Sequence, residues 1–314
     1  SWRISEEQFM ENTRQWLDNL TLKVSYGVQG NDNLGTYYAW QGLYDYTWPN
    51  ATDAGAFVDK LENRKVTWEK NGNLNAGIEA TMFGGRLGVS VEYYNRKTRD
   101  MLLNSPLPIS TGFTGFNDNV GSLRNQGLEV SLRGTILDKR DFRWDATLMG
   151  SFNRNKVLSL TGGQDVITSG IRVIEVGRPI YTFYLPKTAG VDPATGKQLY
   201  YAYWTQTVND EGALVNTRCD EYITDNVAMA TLSKYYHESR EPKLFGSIGS
   251  TFTILKQIDV SFLTTYSIGG WVYDGLYNGS MYVQYAGNNW HKNAKRRWQK
   301  PGDKTDVPML EVGG

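Results

Sequence analysis

Scarcities bound this chain first. It has one cysteine, Cys219, in 314 residues. One thiol excludes an intramolecular disulfide and a cysteine metal cluster, and leaves a plain unpaired thiol. Its two histidines, His237 and His291, are far apart, and no His–carboxylate pair has catalytic spacing. No run of about 18 apolar residues exists, so no transmembrane helix can form. Excess charge is missing as well. The 33 basic and 33 acidic side chains cancel, and with them the electrostatic footprint of a nucleic-acid binder. The glycine-containing stretch GFTGFNDNVG (112–121) lacks the lysine and the following helix of a phosphate loop. Carboxylates are plentiful, but no two stand out as a glycosidase pair. The chain is expected not to be an enzyme and to need no cofactor or metal.

What the sequence has in abundance is alternation. Val66, Trp68, Leu74, Ala76, Ile78, Ala80 and Met82 interleave with Thr67, Glu69, Asn73, Asn75, Glu79 and Thr81. A period of two is a strand with one apolar and one polar face. The pattern recurs at 22–28, 87–93, 128–136, 142–152, 244–254 and 258–268. Several of these segments outrun the roughly 5–6 residues of a soluble strand and reach the roughly 9–11 of a tilted bilayer crossing. A soluble β-sandwich or propeller also alternates, with its apolar face buried. The connections separate the two. Tight turns at 82–86, 137–141 and 255–257 alternate strictly with long connections at 30–63, 104–120, 161–243 and 273 onward. Short turns on one side and long loops on the other belong to outer-membrane barrels. The apolar faces are therefore expected to meet lipid. Among the 20 Tyr and 10 Trp, residues Tyr26, Trp68, Tyr93, Tyr94, Trp144, Tyr266, Trp271 and Tyr273 fall near strand ends, which suits interfacial girdles. About seven strands cannot close a barrel without leaving an edge in lipid, so the chain is expected to be part of a longer one.

Local signals agree. Gly84-Gly85 supplies positive φ for a hairpin. Gly127, after Asn125, allows close backbone approach or a bulge before Leu128. Asp192, Pro193, Thr195 and Gly196 mark a turn, since DPATG lacks the further carboxylates of a calcium loop.

Several segments together resemble a known family: LDNLTLKVSYGVQGND (17–32), VTWEKNGNLNAGIEATMFGGRLGVSVEYYNRKTRDMLL (66–103), NVGSLRNQGLEVSL (119–132) and FRWDATLMGSFNRNKVLSL (142–160). They are followed by VGRPIYTFYLPKTAGVDPATGKQLY (176–200) and RRWQKPGDKTDVP (296–308). In this order they are similar to the C-terminal half of the barrel of SusC/RagA-type TonB-dependent outer-membrane transporters of Bacteroidetes. The resemblance is weakest over 201–242. It implies an all-β fold: about seven to eight strands of a 22-stranded transmembrane antiparallel barrel, with long extracellular loops. Residues 1–314 would be the C-terminal portion of that barrel, without the plug domain or TonB box. The implied function is active nutrient import across the cell outer membrane. The implied partners are a SusD-like surface lipoprotein, TonB through the missing N-terminal region, outer-membrane lipid and lipopolysaccharide, and an oligosaccharide or peptide cargo. The competing reading is a soluble β-sandwich glycan-binding or adhesion module.

Cargo candidates lie in the loops. Sugar rings pack an apolar C–H face on aromatic rings, and their hydroxyls need polar partners. The segment 161–243 carries Tyr181, Phe183, Tyr184, Tyr200, Tyr201, Tyr203 and Trp204, with Gln206, Asn209 and Asp210 near the last. A second cluster holds Trp271, Tyr273, Tyr277, Tyr282 and Tyr285. Tyr200, Tyr201, Tyr203, Trp204, Trp271 and Tyr273 are taken as the ligand-binding candidates; equally, such rings pack a loop onto the rim or a lid protein. Lys292, Lys295, Arg296 and Arg297 lie on an expected amphipathic helix over 288–299, either as a solvated face or as a partner for lipopolysaccharide phosphates.

Overall fold

Seven strands of 11 to 18 residues build the main sheet, each as long as a tilted bilayer crossing requires. The structure is a computed structural model describing all residues except 34–36, 39, 50, 52, 54, 161–164, 282–288 and 311–314. From the N-terminus, β1 (Trp2–Arg3) leads through two 3₁₀ turns to β2 (Leu17–Asn31). A hairpin of β3 (Leu43–Asp45) and β4 (Phe57–Lys60) precedes β5 (Glu69–Met82) and β6 (Leu87–Arg99). The hairpin of β7 (Leu102–Pro106) and β8 (Gly115–Asn119) leads to β9 (Ser122–Lys139) and β10 (Phe142–Ser159). The longest connection holds β11 (Val166–Ser169), β12 (Arg172–Glu175), β13 (Thr182–Leu185), β14 (Lys187–Val191), β15 (Gln198–Val208), β16 (Leu214–Thr224), α1 (Val227–Leu232) and β17 (Tyr235–Ser239). The strands β18 (Leu244–Ile254) and β19 (Ile258–Ile268) follow, then α2 (Gly275–Met281).

The chain forms two compact units. One comprises Ser1–Ser169, Val173–Tyr181 and Glu241–Gly270; the other comprises Gly170–Arg172, Thr182–Arg240 and Trp271–Gly314. The first unit is built on an eight-stranded antiparallel sheet in the order β1-β2-β5-β6-β9-β10-β18-β19. Long strands are neighbours in sequence order, as in an up-and-down barrel wall.

Register turns alternation into continuous bands. On one face Leu22, Ile78, Val91 and Val130 stand opposite one another across β2, β5, β6 and β9. The next step upward sets Val24, Ala76, Tyr93, Leu128, Phe152, Leu244 and Ile268 in line. One step below the first row stand Leu20, Ala80, Val89, Leu132, Leu148 and Ile248. The opposite face carries Thr21, Glu79, Ser90 and Ser131 in one row. A register slip of one residue would exchange the faces, so the pattern fixes the pairing.

No second layer covers the apolar band among the described residues. Leu74 is 37% exposed, Ile78 48%, Leu128 42% and Val260 37%. A sandwich would bury these side chains, so the soluble sandwich reading of the sequence fails on this face. A row of this size left open in water is a contiguous apolar patch; in a bilayer it is the ordinary lipid face of a barrel. Buried side chains are few and sit elsewhere. In the first unit Met101, Val120, Val157, Ile167 and Val173 are buried in the connecting segments and at the upper strand ends.

The expected turns are present. Phe83, Gly84 and Gly85 adopt φ of 59°, 64° and 81°, and the Gly85 N–H donates to Asp18 Oδ2 at 3.0 Å. Leu255 and Lys256 turn with φ of 51° and 58° without glycine. Three expectations need correction. Val66 lies outside β5, which begins at Glu69: the Val66 N–H donates to the Asn63 carbonyl at 3.3 Å and the Thr67 N–H to Asn119 Oδ1 at 2.8 Å, so both serve a turn rather than the ladder. Tyr94 is not part of a lipid-side girdle. It neighbours Tyr93, so it points to the polar face, where it is buried and its hydroxyl donates to Asn153 Oδ1 at 2.9 Å. Residues 288–299 do not form one helix; among the described ones only Lys292–Arg296 wind into a 3₁₀ turn. Just Ala294 of that turn is buried, too little apolar face to hold a longer helix.

Candidate functional site

Two places combine polar chemistry with shape, one in each unit. The first is the polar face of the sheet. Gly127 has no bulge around it; its neighbours in β9 pair regularly with β6 and β10. It is small because a Cβ there would collide with the Phe152 carbonyl and the Tyr94 hydroxyl. Tyr94 thus lies flat over β9 and reaches Asn153. Beside it, Asn155 is buried, donates through Nδ2 to Asn125 Oδ1 at 2.6 Å, and accepts the Ile180 N–H at 2.8 Å. Toward β2, the Thr98 hydroxyl donates to Asn71 Oδ1 at 2.6 Å, and Asn31 Nδ2 donates to Glu69 Oε1 at 2.9 Å. Lys23 pairs with Glu79 at 2.5 Å. This face offers amides, hydroxyls and paired charges.

The second place is an aromatic cluster in the other unit, built on the three-stranded sheet β14-β15-β16 and the β13–β17 pair. Helix α1 is started by Asn226, whose Oδ1 accepts the Ala228 and Met229 N–H groups at 3.0 and 3.2 Å. It ends at Ser233, which is fully buried. Ser233 Oγ accepts both the Tyr203 N–H at 2.9 Å and the Trp204 N–H at 3.1 Å, where β15 slips register against β16. That bulge aims Tyr203 at Tyr235 of β17, with rings edge to face at 5.3 Å. The Tyr203 hydroxyl donates to the Lys234 carbonyl at 2.6 Å. Cations interleave with the rings: Lys187 Nζ lies 4.3 Å from the Tyr201 ring and 5.4 Å from Tyr235, and the Arg218 guanidinium lies 5.3 Å from Tyr203. Burial first, then the Tyr184 hydroxyl, pushes the Tyr203 phenol up to about 12. Burial, then the hydrogen bond to Glu221, raises Tyr235 as well. Both rings are therefore neutral donors at physiological pH.

Strand β17 connects the candidates. Tyr235 meets Tyr203, and His237, two residues on and on the same side, lies 5.9 Å from the Trp271 ring. The Trp271 N–H donates to the Ser239 carbonyl at 2.9 Å. So Tyr201, Tyr203 and Trp271 share one cluster. Trp204 takes part through its backbone, its carbonyl accepting the Tyr222 hydroxyl at 2.9 Å. Tyr200 pairs with Thr188 and Thr224 in the sheet, and Tyr273 stands before α2. Trp271 and Tyr273 are the more exposed, at 52% and 42%. Tyr282 and Tyr285 lie outside the described residues. Tyr235, Lys187 and Arg218 were not singled out by sequence, and His237 was read only as an isolated histidine; the alternation in YYHES (235–239) is the signal that marks this strand.

The Asp192 turn is locked from a distance. Asp192 Oδ2 accepts the Thr195 hydroxyl at 2.6 Å and its Oδ1 the Ala194 N–H at 2.9 Å. These bonds hold the carboxyl below the usual range, the Thr195 hydroxyl first. Trp298 packs on Gly196 and donates Nε1–H to the Pro193 carbonyl at 2.9 Å, and the Met309 N–H donates to the Gly196 carbonyl at 2.8 Å. Two sequence segments a hundred residues apart thereby form one structure. Of the basic run, Arg296 pairs with Asp306 at 2.9 Å.

A family model described as "TonB dependent receptor-like, beta-barrel" matches residues 12–302. The chain belongs to the TonB-dependent receptor β-barrel family. Its likeness to SusC and RagA places it with that type. It is 28% identical over 304 residues to TonB-dependent receptor SusC of Bacteroides thetaiotaomicron, covering 93% of this chain and 29% of that one. TonB-dependent receptor P26 of Formosa agariphila is 40% identical over 170 residues, 53% of this chain and 17% of the relative. The solved structure of the RagAB peptide transporter superposes with a TM-score of 0.80 at 28% identity, covering 98% of this chain and 33% of that chain. The chain spans between about a sixth and a third of the length of these relatives.

Proposed function

We propose that this chain forms wall and extracellular loops of a TonB-energised importer of the outer membrane, working with a SusD-like surface lipoprotein. The observation that carries the reading is the two-faced sheet, apolar and open on one side and lined by paired polar groups on the other. That is how a channel wall differs from a soluble layer. The long connections all leave the same end of the strands, which becomes the extracellular rim. The plug, and the TonB box through which TonB would pull on it, would be supplied by the remainder of a protein of the relatives' length.

The cargo we assign is an oligosaccharide. Trp271 and Tyr273 present exposed rings for sugar C–H faces, and Trp271 joins the Tyr201–Tyr203–Tyr235 cluster through His237. A peptide is the second reading, favoured by the likeness to the RagAB peptide transporter. Uptake assays in intact cells separate them. Cells carrying the full-length protein are given either a mixed plant-glycan digest or a protein digest as carbon source, with and without TonB. The proposal expects TonB-dependent growth on glycan, lost when Trp271→Ala and Tyr273→Ala are combined. Growth on peptide alone would move the assignment to the second reading, and growth unaffected by loss of TonB would refute active import.

A further inference from the structure

Above the apolar band, the outward face of the sheet changes character within two rows. The row Tyr93, Leu128, Phe152 gives way to Asn95, Gln126, Arg154, and that row to Lys97, Arg124, Lys156. Lys97 stands opposite Arg124 on β6 and β9, and Arg124 opposite Lys156 on β9 and β10. Arg99 follows one step further up. Directly opposed residues hold their Cβ atoms about 4.5–5.5 Å apart, and like charges placed so are destabilising. Among the described residues no ion pair offsets this row. No acidic residue occupies an outward position of β5, β6, β9 or β10 beside these rows. Among the described residues, none of Lys97, Arg99, Arg124, Arg154 and Lys156 forms an ion pair, and Arg124 Nε is shielded from solvent with no hydrogen-bond partner. The nearby Asp100 is engaged by Lys70 at 3.1 Å.

The height is also specific. Phe152 to Lys156 is four residues, about 14 Å along the strand and about 10 Å along the normal for a tilt of about 40°. That is where headgroups begin above the hydrocarbon. We infer that Lys97, Arg124 and Lys156, with Arg154 and Arg99 flanking, form a built-in binding site for the phosphates of a lipid A-type headgroup in the outer leaflet. Asn95 and Gln126 lie one step below to meet its sugar or amide groups, and Tyr93, Leu128 and Phe152 border its acyl chains. The inference rests on the outer-membrane reading proposed above.

Native mass spectrometry of the full-length protein in detergent tests it, with diphosphoryl lipid A and the same lipid A after dephosphorylation as probes. Wild-type protein is expected to retain the diphosphoryl form preferentially. The triple variant K97Q/R124Q/K156Q is expected to bind it on the order of a hundredfold more weakly, at about fivefold per cation near a charged lipid surface. R86Q/K139Q/R140Q, which removes equal charge from the opposite end of the strands, should change little. Should the triple variant lose its heat-modifiable folded band on gels, R124Q alone, with an expected loss of about fivefold, decides the question. Equal retention of both lipids by wild type, an unaltered affinity in the variant, or saturable binding of inorganic phosphate in place of lipid would overturn the site while leaving the membrane reading standing. Binding of neither lipid form would count against the membrane reading itself.

Discussion

Replacing Gly196 by alanine is expected to unlock the Asp192 turn, and the structure sets the size of the effect. Gly196 has φ of +76°, which costs an L-residue about 1–2 kcal/mol. A Cβ there would lie 2.5 Å from Trp298 Cδ2 and Cε3, about 1 Å inside the contact distance of two carbons. Relief demands that the indole move, and the indole is held by its 2.9 Å bond to the Pro193 carbonyl. Overpacking of this kind adds about 1–3 kcal/mol, so the total is about 2–5 kcal/mol. Gly212 is the internal control. Its φ is +80° and nothing lies within 4 Å of its Cβ position, so Gly212→Ala should cost only the conformational part, about 1–2 kcal/mol. Amide hydrogen exchange on the full-length protein reads both. The Gly196, Gly302 and Met309 N–H groups, bonded to the Asp192, Pro193 and Gly196 carbonyls, should lose protection in G196A. Adding Trp298→Ala should return part of it. If G196A and G212A cost the same, or W298A restores nothing, Trp298 is not the wall against which this turn is built.

Three further outcomes follow from the same structure. Leu148 lies on the apolar face, four residues from Phe152, so Leu148→Arg should destabilise the folded barrel by about 2–4 kcal/mol in urea titrations from liposomes, whereas Thr147→Arg on the polar face should cost far less. Ser233→Ala strands the Tyr203 and Trp204 N–H groups; at about 1–3 kcal/mol for an unsatisfied buried group, proteolysis near 203–233 should accelerate at least fivefold. Asp192 and Asp225 both have lowered pKa values, Asp225 chiefly through its 2.7 Å bond from Lys197. Their stabilisation is complete above about pH 4 and is lost as pH falls through the lowered folded values. Protection factors at Ala194 and Gly196, taken relative to intrinsic exchange at each pH, should therefore fall in acid and stay flat between pH 5 and 8.

The strands were legible because a membrane wall obeys a single rule along its whole length. Residues 244–254 and 258–268 have the same limits in sequence pattern and structure, since alternation there runs uninterrupted into a tight turn. The upper ends were less legible. β9 begins at Ser122 and β10 runs to Ser159 because ladder pairing continues above the apolar band, where Arg124, Gln126, Arg154 and Lys156 no longer alternate in hydrophobicity. Tyr94 misled because an aromatic at a strand end suits either face, and only its parity relative to Tyr93 decides. The loop cluster was half visible. Tyr203 and Trp271 stood out by type, but the contact that joins them runs through β17, paired across about fifty residues to β13, and pairing of that range leaves no local mark.

The most direct measurement is site-directed spin labelling of the full-length protein in liposomes. Labels would be placed singly at Leu128, Glu129, Val130, Ser131 and Leu132 along β9. The account predicts collision with dissolved oxygen at 128, 130 and 132 and with a water-soluble nickel chelate at 129 and 131, alternating with every residue. Nickel access at all five, or oxygen and nickel exclusion together at 128, 130 and 132, would mean that the apolar row faces water or a protein interior and not hydrocarbon.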